Sequence, residues 1–156
     1  MANVKNYILD EIAEEDFSLL AVYSSCEAYL MAFLLNSKCH CRFIQSKKRN
    51  AGVQADNPFE SYEWIDPIKG VEIRLFSNRL SMFQNDAQKG GNLFDLPETK
   101  ELYLVQDLKD VDYIIKIDSG IDNQEMLKRV ESIDQISYRH LIDQSQLKTD
   151  LSLNLY

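Results

Sequence analysis

The stretch Phe17-Ser18-Leu19-Leu20-Ala21-Val22-Tyr23 is apolar on both phases of a two-residue alternation. A strand with one wet face carries polar residues at every second position. A strand without them suits the inside of a sheet, buried on both faces. The competing reading is a helix that begins early, because short apolar runs are ambiguous.

The chain has 156 residues, which fits one domain spanning 1–156. A folded chain of that length buries roughly two thirds of the surface it exposes when unfolded, so a core can form without disulfides or metals. Hydrophobic residues make up 45% and charged residues 27%, a globular rather than a disordered balance. The formal net charge of −8 argues against a nucleic-acid binder and against a protein drawn to anionic membranes. The longest apolar run, Ala28 to Leu35, has eight residues, where a bilayer span needs roughly twenty. No basic segment followed by a long apolar core opens the chain, so the expectation is a soluble, cytoplasmic protein. Cys26, Cys39 and Cys41 are an odd count, which fits reduced thiols in a cytosol.

Val4 to Leu9 reads as a short strand and the acidic Asp10 to Asp16 as a surface turn. Ser24-Ser25-Cys26-Glu27 fits a capping box, opening a helix to about Leu35 with Asn36 as a left-handed cap. That helix is apolar nearly all round. It is either enclosed on several sides or lies at an interface, with Tyr29 and Phe33 the interface candidates. Enclosure is the commoner outcome.

Cys39 to Ile44 alternates like a strand, and Ser46 to Asn57 reads as a loop. Phe59 to Ile65 and Val71 to Phe76 flank Asp66-Pro67-Ile68-Lys69-Gly70, a hairpin connection. Ser77 to Asn92 reads as a second loop. Leu102 to Val105 and Val111 to Ile117 read as strands. Asp122 to Glu125 is another capping box, with Ile121 and Met126 placed for a hydrophobic staple. Met126, Leu127, Val130 and Ile133 form one amphipathic stripe, and Ile136 to Ile142 is extended again. The order β-β-α-β-β-β-β-β-α-β predicts an α+β fold, a mostly antiparallel sheet with two helices covering one face. The strand-helix-strand from Tyr113 to Ile142 matches half of a ferredoxin-like or ACT-like unit, an analogy of fold alone.

Few residues suggest chemistry. Cys39-His40-Cys41 is the first candidate for metal ligation, with Cys26 and His140 to complete a set. Three ligands in consecutive strand positions cannot close around one zinc, and buried apolar thiols are the commoner outcome. Asp107, Asp110, Asp112, Asp118 and Asp122 could offer oxygen ligands, but the calcium-loop pattern is absent and turn and cap roles account for them. No serine sits in G-x-S-x-G, Gly90-Gly91 lacks the phosphate-loop pattern, and His40 and His140 are the only histidines. An edge position is the default for His140. Five basic residues lie from Lys38 to Arg49 with no acidic one. They read as a solvated face, and the competing reading docks them on the Asp10 to Asp16 stretch of a neighbouring copy.

Val105-Gln106-Asp107, then Val111-Asp112-Tyr113, resembles the signature I-P-E-x-x-x-V-D-Y that names a bacterial family of unknown function. The V-D-Y half is kept. Val stands for Ile, Gln for Pro and Asp for Glu. Asp16-Phe17, Leu20, the helix Tyr29 to Leu35 with Asn36, and Ser77-Asn78-Arg79 are similar too. The resemblance implies a small cytosolic bacterial protein and brings no catalytic residue with it.

These readings lead to a non-catalytic protein that works through protein–protein contacts, self-association as a homodimer included, without cofactor or metal. The alternative is an ACT-like domain sensing a small molecule at the N-terminus of the Asn123 helix. A hydrolase or metal enzyme using Asp112, His140 or Cys39 ranks third.

Overall fold

A computed structural model describes residues 17–46, 59–84 and 98–147. In chain order the elements are β1 (Ser18–Ser24), α1 (Ala28–Lys38), β2 (Ile44–Gln45), β3 (Ser61–Asp66), β4 (Val71–Ser77), β5 (Arg79–Gln84), β6 (Glu98–Tyr103), a 3-10 turn (Gln106–Leu108), β7 (Tyr113–Ser119), α2 (Asn123–Val130), β8 (Ile136–Leu141) and a second 3-10 turn (Gln144–Gln146). Six strands form one antiparallel sheet in the order β2-β3-β4-β7-β1-β8, and β5 and β6 pair as a separate ribbon. The fold is α+β, and the sheet dominates it.

β1 sits between β7 and β8, antiparallel to both. Its two apolar phases face two different cores. Leu20 and Val22 pack with α1, α2, Ile73, Leu75, Ile115 and Ile117. Leu19 and Ala21 pack with Phe76, Leu104, Val105, Val111, Ile114 and Ile142. Both helices therefore cover one face, and the other is covered by chain around the 3-10 turns. β7 and β8 run parallel with β1 between them, and β1 and β4 run parallel with β7 between them. Two split β-α-β crossovers thus interlock in one sheet.

The hairpin expected at Asp66 to Gly70 joins β3 to β4. The Asp66 carboxylate accepts from the backbone amides of Ile68 and Lys69, both at 3.1 Å, and Gly70 takes φ +68°. Met126, Val130 and Ile133 of the amphipathic stripe are buried, with Ile121 and Leu127 packed against the same core.

Several expectations need correction. Ser24 does not cap α1; it stays in β1, and Glu27 is the N-cap without a side-chain cap bond. The Ser24 hydroxyl donates to the carbonyl of Gln135 at 2.7 Å, and its oxygen accepts from the amide of Cys26 at 3.3 Å, one residue short of the helix, rather than from Glu27. Asn36 lies within α1, and the left-handed residue is His40 at φ 57°. The Asn36 side chain pairs with the backbone of Phe43 in both directions, at 2.9 and 2.7 Å. It takes the place of a strand partner, so Cys39 to Phe43 alternates in burial but joins no ladder.

α1 is not enclosed on several sides. Met31, Ala32, Leu34 and Leu35 are buried, whereas Tyr29 and Phe33 are each 63% exposed. The expected loop from Ser77 holds strand β5, because Leu80 and Met82 alternate with polar neighbours and pair with Leu102 and Lys100. β6 begins and ends earlier than expected, since Leu104 and Val105 turn inward onto the sheet. Asp122 caps α2 through the amide of Gln124 at 3.1 Å, but Glu125 pairs with Arg129 rather than closing a capping box. Val4 to Leu9, Asp10 to Asp16, Lys47 to Arg49 and Gly90-Gly91 lie outside the described residues.

Gly120, just past the end of β7, packs against Val71 at the start of β4. Its φ is +101°, and a Cβ there would stand 2.7 Å from the Cα of Val71, whereas Gly70 has nothing within 4 Å. Gly120→Ala is expected to cost about 3 kcal/mol from strain and overlap together. Gly70→Ala is expected to cost about 1 kcal/mol, from left-handed backbone alone. Urea denaturation of both variants checks the ranking, and equal losses would overturn it.

Candidate functional site

At one end of the sheet the last residues of β1 and β4 meet the first residues of β7 and β8. They enclose a polar cleft of about 730 Å³. Ser24, Cys26 and Glu27 enter it from the β1–α1 turn, Ser77 and Arg79 from the end of β4, Asp112 and Tyr113 from the start of β7, and Gln135 and Ser137 from the start of β8.

Between the lining residues Ser77 and Arg79 lies Asn78, which is fully buried, with both polar atoms of its amide bonded. Its Nδ2 donates to the carbonyls of Leu108 (2.7 Å) and Val111 (2.9 Å), and its Oδ1 accepts from the amide of Val105 at 2.9 Å. Its backbone carbonyl accepts from Leu104, and its backbone amide donates to the carbonyl of Asp112, both at 2.9 Å. One residue thereby ties the end of β4 to the whole return path from Leu104 to Asp112.

Asp112 continues the network. Its Oδ2 accepts from the amide of Ser24 at 2.9 Å, and its Oδ1 stands 3.6 Å from Nη2 of Arg79. Arg79 Nη2 donates to the carbonyl of Lys109 at 3.2 Å. The Tyr113 hydroxyl donates to the carbonyl of Cys26. Burial, above all, pushes the Tyr113 phenol far above its ordinary range, so it stays a neutral donor.

Two pieces of the sequence resemblance are thus brought together. Val111, Asp112 and Tyr113 lie against Ser77-Asn78-Arg79, and their polar atoms fasten β1, β4 and β7 to one another. Comparison with protein-family models, with curated proteins and with solved structures gives no match.

The cysteines, His140 and Asp118 do not converge on one site. The Cys39 thiol donates to the carbonyl of Arg129 at 3.1 Å, and that of Cys41 packs in the helix-side core. Cys26 lines the cleft instead. His140 lies on edge strand β8 beside Tyr23 and Tyr138. Its Nδ1 is 2.9 Å from the carbonyl of Leu141, and its Nε2 is 3.1 Å from the Tyr23 hydroxyl. A carbonyl only accepts, so the neutral ring carries its proton on Nδ1 and takes the tyrosine proton on Nε2. Asp118 pairs with Lys116 and Arg74 on the helix-free side of the sheet. No group of three His, Cys, Asp or Glu residues stands close enough to hold a metal among the described residues.

The cleft was not legible in the sequence. Its serines and Gln135 come from four separate strand ends and form no local pattern. Only V-D-Y and Ser77-Asn78-Arg79 pointed to it.

Asn78→Ala would strand the Val111 carbonyl and the Val105 amide, while the Leu108 carbonyl keeps the Val111 amide as a partner. At about 1–3 kcal/mol for each stranded group, a loss of about 2 kcal/mol or more is expected. Asn78→Asp turns the donor side into an acceptor facing two carbonyls. It should lose at least as much at neutral pH and recover as acid protonates the new carboxyl. Urea midpoints across a pH series measure both, and a wild-type-like Asn78→Asp would refute the account.

Burial pushes the Cys41 thiol up to about 12 from 9.0. It also raises Cys39, against the lowering influence of Ser132 and Arg129. The folded chain therefore keeps a proton that the unfolded chain releases, and stability should fall as pH rises from about 9 toward 12. Cys41→Ala should flatten that slope in an alkaline denaturation series, and an unchanged slope would count against it.

Proposed function

We propose that the chain is a divergent member of the IPExxxVDY family and works without chemistry of its own, through contact with protein, a second copy of itself included. The observation that carries this is the outer face of α1. Tyr29 and Phe33 stand one turn apart, each 63% exposed, while the opposite side of the helix is sealed into the core. Aromatic side chains are enriched at the centres of protein interfaces, where they exclude water over a large area. The signature residues support the same reading, because the Val111 carbonyl, one oxygen of Asp112 and the Tyr113 hydroxyl are spent on fastening strands.

Exposure sharpens the test. Tyr29→Asp and Phe33→Asp touch little of the core, so each should change stability by no more than about 0.5 kcal/mol. Each should lower the assembly mass in sedimentation, or remove a stoichiometric partner recovered from the native host. Folded variants with mass and partner set unchanged would sink the proposal.

A second reading, a small-molecule-sensing domain, is favoured by the polar cleft together with the interlocked β-α-β crossovers, a strand order in keeping with an ACT-like unit. The N-terminus of α2 is a poor place for the ligand, since Asp122 already accepts from the amide of Gln124 there. The cleft lies at the other end of β7, where that helix does not reach.

A further inference from the structure

We propose that the cleft between the ends of β1, β4, β7 and β8 binds a small zwitterion, a molecule of the free α-amino-acid class with one carboxylate and one ammonium group. This rests on the ligand-binding reading of the cleft and names its chemistry. At about 730 Å³ the cleft falls within the size of small-molecule sites, roughly 300–1,000 Å³.

Its charges are mixed. Arg79 brings one positive charge, and Glu27 and Asp112 bring two negative charges. A multiply charged anion such as a nucleotide would meet both carboxylates, and a simple cation would meet the guanidinium. A ligand carrying both signs satisfies both sets.

The Arg79–Asp112 contact leaves room for such a ligand. At 3.6 Å it is too long for a hydrogen bond, and the two side chains remain 40% and 27% exposed. Arg79 spends one donor on Lys109, and Asp112 spends one oxygen on the Ser24 amide. The remaining guanidinium donors fit a carboxylate, which this group recognises through paired bonds. The Glu27 carboxylate makes no cap bond with its own helix and fits an ammonium group, with Asp112 Oδ1, loosely paired to Arg79 at 3.6 Å, as the second negative oxygen. Ser25, Ser81 and Gln135 add neutral donors and acceptors around the pair.

The test is a ¹H–¹⁵N NMR titration of the full chain with each of the twenty free L-amino acids, with their N-acetyl and α-amide derivatives, and with inorganic phosphate and glycerol. The expected result is saturable shifts at Ser25 to Glu27, Arg79, Asp112 and Gln135 with at least one free amino acid. Acetylation or amidation should weaken binding about tenfold or more, because each removes one charge-assisted contact. Arg79→Gln and Glu27→Gln should each do the same. Glu27 makes no cap bond, so its variant reports even if the Arg79 variant disturbs the turn at Lys109. If the derivatives bind as well as the free amino acids, or only phosphate or glycerol shifts these amides, the zwitterion assignment is overturned while ligand binding at the cleft stands. If no probe shifts them, both are overturned.

Discussion

The buried amide of Asn78 is the constraint on which the sheet depends. β4 and β7 are neighbours in space, yet the chain between them leaves the sheet, forms the β5–β6 ribbon and comes back. A two-stranded ribbon is marginal by itself in water, so it cannot hold the ends of β4 and β7 in register. Asn78 sits where the chain departs, and every polar atom of its side chain is bonded to the stretch that returns. A buried amide with its donors and acceptor all paired is directional in a way that apolar packing is not. Leu104, Val105 and Val111 then supply the apolar weight by covering the helix-free face.

That second face also explains an oddity of β7. Its sequence Tyr-Ile-Ile-Lys-Ile-Asp-Ser places a lysine in an apolar run, and Lys116 is 1% exposed. A buried charge is tolerated when it is paired. Lys116 has Asp118 at 3.3 Å and the Phe17 ring centroid at 4.7 Å, with Arg74 beside the same carboxylate. The face is therefore apolar at the cleft end and ionic at the hairpin end. Such a pair constrains register: a one-residue slip of β7 would carry Lys116 into the helix-side core, where no partner carboxylate lies among the described residues.

The sequence was readable where one local force decides the outcome. β1 was legible because no single-sided strand is apolar on both phases. The β3–β4 hairpin was legible because proline, an aspartate acceptor and a positive-φ glycine act within five residues. The α2 stripe followed from helical period alone. Misreadings arose where a distant partner overrode a local signal. Ser24 and Glu27 fit a capping box, but Gln135, far along the chain, takes the Ser24 proton and holds the residue in β1, where its oxygen meets the Cys26 amide instead. Asn36 looks like a helix stop, but it is worth more as a partner for Phe43. β5 looked like loop because its alternation is weak until β6 is laid against it. The cleft is the extreme case, since its residues share nothing but the end of the sheet they occupy.

The contact reading and the ligand reading meet on α1. Glu27 is the N-cap at the cleft, and Tyr29 stands two residues later at the exposed aromatic face. The Glu27 side chain turns about its own bonds, so a ligand engages its carboxylate while the backbone of α1 stays in place. The buried side of the helix holds that backbone through Met31 and Leu35, both 0% exposed. The two surfaces therefore share one helix, and coupling between them would require a second arrangement of α1 that ligand and protein partner both bias.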